Sequence, residues 1–278
     1  MTTFFKFASV TKKITLAIVG VFLMIFLLVH AGINLCLLRG DEGVWFRAAA
    51  HFMGTNYIVK VFEIVLFAAF FVHIILALIL QFQNWRARPV AYKVANRSAT
   101  RLGSKYMIYT GILVAIFLCI HMMNFYFVKL GWAEGKYIVK IEDITKADPA
   151  VLQQNQDALV SMFQNTNPET QSMQQFKEEA DNVSKAQITK VFGTQFKAYE
   201  PDFYNMARQL FKNTFYSLLY IVLIFALGIH LNHAFSSAFQ TIGWNHPKYT
   251  PFINGFGTGY AIVITLMFCI IPVWFLIY

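Results

Sequence analysis

Residues 220–251 read YIVLIFALGIHLNHAFSSAFQTIGWNHPKYTP, an apolar helical run that carries two histidines and ends in a polar, proline-containing turn. On a 3.6-residue period His230 and His233 share one face with Ser237 and Gln240. An imidazole inside a segment of this hydrophobicity is expensive unless it has a job or a partner. His30, His73 and His121 sit in the same kind of surroundings, each in its own apolar run.

These runs set the fold class. The chain has 278 residues, 57% hydrophobic and only 13% charged, about half the charged share of a soluble domain. Five stretches, 14–38, 57–82, 105–130, 211–238 and 253–278, approach or exceed the roughly 20 apolar residues that cross a bilayer. The expectation is an all-α integral membrane bundle of five transmembrane helices, I to V in chain order. The first run is too long for the core of a cleavable signal, and no small-residue cleavage site follows it, so helix I is expected to stay. Cys36, Cys119 and Cys269 lie singly in apolar runs. With no CxxC or CxxCH pattern, thiolate zinc and covalent haem attachment are disfavoured, and the cysteines read as small core residues.

The net charge of +9 is unevenly distributed. With a cytoplasmic N-terminus the inner segments hold Lys6, Lys12, Lys13, Arg86, Arg88, Lys93, Arg97, Arg101, Lys105 and Lys248 and no acid, a strong positive-inside bias. Every acid except Glu63 then falls in two outer loops, and the C-terminus lies outside. The 1–13 lead-in is basic and amphipathic, suited to the inner interface, and Trp85 with its arginines suits an interfacial anchor. Loop 39–56 contains His51, read as a surface histidine; His246 is read as interfacial, in the turn after helix IV. The basic inner loop is either a topology determinant or a docking face for a soluble partner.

Residues 131–208 are polar and mixed in charge, and they divide the chain into 1–130 (helices I–III), an extracytoplasmic insertion 131–208, and 209–278 (helices IV–V). The insertion is expected to be helical. Asp148-Pro149 and Asn167-Pro168-Glu169 each put a capping side chain before a proline suited to the first helical position.

An internal repeat pairs the histidines. Gly20–His30 reads GVFLMIFLLVH and Gly111–His121 reads GILVAIFLCIH; Glu63–His73 reads EIVLFAAFFVH and Tyr220–His230 reads YIVLIFALGIH. Helices I and III, and II and IV, therefore look like a duplicated two-helix unit, a common device in membrane folds, and the alignment selects His230 over His233 as the counterpart of His73. At 1.5 Å per residue His30 and His121 lie ~24 Å from the inner ends of their helices, and His73 and His230 roughly 15 Å. Two facing imidazoles can hold one metalloporphyrin by both axial positions, so two levels imply two haems. Gly20 and Gly111, at the inner level, let a ring pass close to the backbone.

Other polar residues keep two readings. His233 is a helix-face hydrogen bonder or a contact for a haem propionate or quinone. Asn34 and Asn124, beyond His30 and His121 toward the outer side, are packing groups or partners for propionates or a quinone carbonyl. Glu63, near the outer end of helix II, either snorkels to the interface or exchanges protons with a quinone at the outer haem.

The FLLVH helix, the NWRARPVAY end of helix II, TGILVAIFLCIH and the HLNHAFSSAFQTIGWNHPKYTP tail together resemble the cytochrome b membrane subunit of succinate:quinone oxidoreductases, in its single-chain, five-helix, di-haem form. The resemblance covers nearly all of the membrane part. It implies two b haems, with His30 and His121 matching the ligands of the outer iron and His73 and His230 those of the inner, and His233 and Ser237 close by. It implies electron exchange between membrane quinone, menaquinone in many such bacteria, and a flavoprotein and iron-sulfur subunit on the cytoplasmic side. The chain departs from the family at Ala234, where relatives commonly carry Gly, and at Gly228, where some carry an acid implicated in proton movement. The insertion is also longer than the family's.

The resulting expectation is a multi-pass subunit of a bacterial cytoplasmic membrane that anchors a succinate dehydrogenase or fumarate reductase. Its partners are lipid, quinone and two soluble subunits, with no nucleic acid, and the whole complex is free to oligomerise. Dicarboxylate chemistry belongs to another subunit, because this chain has neither a flavin motif nor iron-sulfur cysteines. The alternatives are a di-haem cytochrome b serving a hydrogenase or formate dehydrogenase, and a haem-free transporter in which histidines and Glu63 relay protons.

Overall fold

The computed structural model describes residues 9–87, 102–163 and 179–278. The start of the basic lead-in, the basic segment 88–101 and the Asn167-Pro168-Glu169 helix start lie outside the described residues. Among the described residues five helices are long and apolar enough to cross a membrane. They are α1 (Ser9–Asn34), prolonged by a 3₁₀ turn at Leu35–Leu38, then α3 (Tyr57–Ala87), α4 (Leu102–His121), α10 (Thr214–Thr241) and α11 (Thr250–Ile277). A π-helical turn, Met122–Tyr126, and the short α5 (Phe127–Lys129) prolong α4. The chain is a helical multi-pass membrane protein, and it divides into two compact units, Met1–Phe117 with Thr214–Tyr278, and Leu118–Asn213.

In the first unit α1 packs on α3, α10 and α11, while α10 runs along α11. Met24, Ala31, Leu227, Leu231, Ala261 and Ile264 form the buried centre. Small residues allow the close approach of α10 and α11, as in membrane helix pairs generally. A Cβ on Gly257 would lie 2.7 Å from the ring of Phe235, and one on Gly228 would run into the Thr265 hydroxyl. Gly228 is the position at which some members of the resembled family carry an acid, and here the neighbouring helix leaves no room for one. Polar groups inside the unit bond to backbone carbonyls: Thr265 donates within its own helix to Ala261 at 2.7 Å, and Tyr260 donates across to the Met24 carbonyl of α1 at 2.6 Å. Large apolar side chains such as Phe71, 65% exposed, and Phe252, 74% exposed, point outward, which is the arrangement a hydrocarbon solvent favours.

Helix ends follow local chemistry. The Asn56 side-chain oxygen accepts from the backbone N–H groups of Ile58 and Val59 at 2.9 and 3.3 Å and so caps α3. Before it, the stretch read as a plain loop contains α2 (Val44–Thr55). The Asp41 carboxylate starts α2 by accepting from the N–H groups of Gly43 and Trp45, and it pairs with Arg39 at 3.2 Å. His51 lies on the exposed side of α2, and His246 is exposed in the turn between α10 and α11. Pro272 lies inside α11, which continues past it to Ile277.

The second unit contains helices, as expected of the insertion, and also a three-stranded antiparallel sheet that the sequence reading lacks. Strand β1 (Lys136–Lys140) is central, between β2 (Glu179–Ser184) and β3 (Glu200–Pro201). Lys136 pairs with Ser184 and Ile138 with Glu200, and a bulge falls between Tyr137 and Val139. Around the sheet lie α6 (Pro149–Gln154), α7 (Gln156–Phe163), α8 (Lys185–Phe192) and α9 (Phe203–Lys212). Asp148 caps α6, accepting from the Ala150 N–H at 2.9 Å with Pro149 at the first helical position. Ser184 and Gln187 form a reciprocal capping box on α8.

Val128, Tyr137, Val139, Ile188, Val191, Phe192 and Phe196 build a core. Beside it Asp202 is fully buried: its carboxylate accepts from the N–H of Asn182 at 3.0 Å, the N–H of Asn205 at 3.2 Å and the Asn205 amide at 2.7 Å. The Tyr137 hydroxyl, by contrast, has no hydrogen-bond partner among the described residues. Burial, then the neighbouring Tyr199 phenol and the Glu134 carboxylate, push its ionisation above the usual phenol range.

Candidate functional site

The first unit brings the rings of His73 on α3 and His230 on α10 together, with centroids 6.4 Å apart and planes at 65°. A transition metal held about 2 Å from one nitrogen of each imidazole would put the centroids roughly 6 Å apart, so the observed spacing suits two imidazoles sharing one ion. The Nδ1 of His73 is buried and has no hydrogen-bond partner among the described residues. Left unmet, a buried polar atom of that kind costs free energy. No group of three or more His, Cys, Asp or Glu side chains among the described residues is arranged to hold a metal ion. What the described residues offer at this site is the pair of imidazoles.

Each ring of the pair is faced by a glycine. A Cβ on Gly20 of α1 would stand 3.9 Å from Cε1 of His73, and one on Gly111 of α4 would stand 3.4 Å from Cε1 and 3.8 Å from Nδ1 of His230. The two contacts are equivalent under the sequence repeat, since Gly20 and Gly111 occupy matching places, as do His73 and His230. In each half a backbone without a side chain lies against an imidazole. On His230 there is one further contact, from Thr110, whose hydroxyl lies 3.3 Å from Nδ1. Sequence reasoning passed over Thr110, because a threonine in an apolar helix ordinarily bonds back to its own turn.

Comparison of the chain with family models, curated proteins and solved structures finds no match.

His30 lies one level away in α1. Phe26 stacks on it, centroids 5.3 Å apart at 17°, and Phe268 of α11 lies 5.8 Å away at 45°. The amide nitrogen of Asn34 donates to the His30 carbonyl at 2.7 Å and lies 3.4 Å from its Nδ1. His121 belongs to the second unit, with Phe125 at 5.2 Å from its ring. The pairing of His30 with His121 rests on the repeat alone.

The two asparagines beyond these histidines do not occupy matching places. Asn34 ends a regular helix, whereas Asn124 lies in the π-helical turn that begins directly after His121. The residue four positions on, Phe125, lies against the His121 ring, centroids 5.2 Å apart. π-Turns cluster at functional positions, and nothing in the pattern MMNFY announces this one.

Of the remaining candidates, His233 and Ser237 are half-buried on α10, and the Ser237 carbonyl accepts from the Thr241 hydroxyl at 2.8 Å. Glu63 is half-buried in the second turn of α3. His233 follows His230 by three residues on the same helix.

Proposed function

We propose that this chain is the di-haem cytochrome b subunit anchoring a succinate dehydrogenase or fumarate reductase, and that it passes electrons between an iron-sulfur subunit and a membrane quinone, menaquinone in the first instance. The observation that carries this reading is the His73–His230 pair, 6.4 Å between centroids, with Gly20 and Gly111 leaving room on either side. In this reading His73 and His230 would hold the inner iron, and His30 and His121 the outer one. Bound haem supplies reversible one-electron chemistry at each level.

The protein's own residues do the rest. The two glycines keep side chains out of the space beside the inner ligands. Phe26 and Phe268 enclose His30 in a dry aromatic wall, and such burial and low local dielectric tune a haem potential. Asn34 holds the turn that carries His30, and Glu63 is the carboxylate within the spans that can take or return a proton when a quinone is reduced or oxidised. The acid-free basic segments would face the iron-sulfur and flavoprotein subunits at the cytoplasmic side, with no dicarboxylate site on this chain.

A reduced-minus-oxidised spectrum of the purified complex tests the proposal. Two b-type components, with a flavoprotein and an iron-sulfur protein in the same preparation, are expected. Absence of b-type bands would overturn the proposal and favour the haem-free transporter, and a nickel or molybdenum subunit in the preparation would favour a hydrogenase or formate dehydrogenase.

A further inference from the structure

Thr110 is 7% exposed and sits one residue before Gly111 on α4. Its hydroxyl has a single hydrogen, and two carbonyls of its own helix compete for it, Met107 at 3.0 Å and Tyr106 at 3.4 Å. With that hydrogen committed, the hydroxyl can only accept at its third contact, the His230 Nδ1 at 3.3 Å. Nδ1 must then carry the ring proton, and Nε2 is left with a bare lone pair, the form that binds a metal.

The repeat makes the other half a built-in comparison. Gly20 corresponds to Gly111, so the place of Thr110 is taken in α1 by Val19, which has no acceptor. Consistently, the Nδ1 of His73 finds no hydrogen-bond partner among the described residues. One imidazole of the pair has its tautomer fixed by the protein and the other does not.

We propose that Thr110 is a positioning residue that fixes His230 as the Nδ1-protonated tautomer and strengthens it as a donor through Nε2, so that the two inner ligands are chemically unequal. The inference rests on the di-haem reading for its consequence but not for its geometry. A hydrogen bond from the outer nitrogen raises the basicity of a ligating histidine, and a stronger donor favours the oxidised metal. His230 is thereby the tighter, more electron-donating ligand and His73 the weaker one.

The test has an arm that needs no cofactor. In the haem-free chain, nitrogen-15 NMR of the His230 side chain should show protonation at Nδ1; Thr110→Ser should keep it, and Thr110→Val, of the same shape but with no acceptor, should lose it. In the loaded complex Thr110→Val should weaken haem retention at the inner level by about tenfold and raise the midpoint potential of that component alone. Val19→Thr, which gives His73 the same partner, should lower the potential. An unchanged His230 tautomer and an unchanged inner potential in Thr110→Val would overturn the proposal, as would equal shifts in the Ser and Val variants. A wild-type complex without b-type bands would defeat the functional reading, and the tautomer of the haem-free chain would still decide on Thr110.

Discussion

The two units of this chain solve the polar-group problem in opposite ways. In the membrane unit hydroxyls turn back onto nearby carbonyls, as Thr265 does to Ala261 at 2.7 Å, while apolar side chains such as Phe252 face outward. In the polar unit aromatic residues such as Phe192 and Phe196, stacked at 4.6 Å, are inside, and carboxylates such as Asp148 and Asp202 serve as caps. The difference follows from the solvent. Hydrocarbon satisfies no backbone group, so a polar group there needs a partner within the protein or a ligand.

That contrast can be broken most directly at the histidines. Replacing His73 or His230 by Ala should abolish one b-type spectral component, and replacing His30 or His121 should abolish the other, read in the reduced-minus-oxidised difference spectrum. Survival of both components in His230→Ala would transfer the ligand role to His233. In the polar unit the largest effect is expected from Asp202→Ala, which strands three donors around a fully buried carboxylate. A loss of about 3 kcal/mol should appear as a lower unfolding midpoint, and a change under about 0.5 kcal/mol would show that solvent or neighbours replace it.

A smaller effect belongs to the α10–α11 seam. Gly228→Val should cost about 1–3 kcal/mol by overpacking against Thr265, measured as thermal unfolding in detergent, while both spectral components persist. Least is expected of Tyr137→Phe, which removes a buried hydroxyl with no hydrogen-bond partner among the described residues. The variant should match or exceed wild type by up to about 1 kcal/mol. It should also resist alkali better. The raised phenol of Tyr137 keeps its proton in the folded chain while the unfolded chain ionises from about pH 10. Wild-type stability is therefore whole below that pH and falls as pH rises toward the folded value.

Much of the architecture was legible because a membrane span is written in composition, about 20 apolar residues at a time. The Asp148-Pro149 start was legible because a cap and a fixed φ act locally. The sheet was not, since Glu179–Ser184 reads EADNVS, weak strand material that depends on pairing with distant Lys136–Lys140. Helix α2 was hidden in a stretch too short to register as a span. At the site, the Gly and His positions were visible through the repeat. Thr110 was not, because its meaning lies in where a second helix places an imidazole, and the π-turn after His121 has no composition of its own.

Helix α3 has 31 residues and so runs for roughly 46 Å, about half as long again as the hydrocarbon core. A hydrophobic mismatch of that size must be met by tilt, by local thickening of the bilayer, or by turns standing in the headgroups. The last of these fits its C-terminal end, where Trp85 is 63% exposed and Arg86 follows. Because the same rod carries His73, the depth of that imidazole is tied to lipid thickness, and the acyl-chain composition of the host membrane becomes a variable of the site.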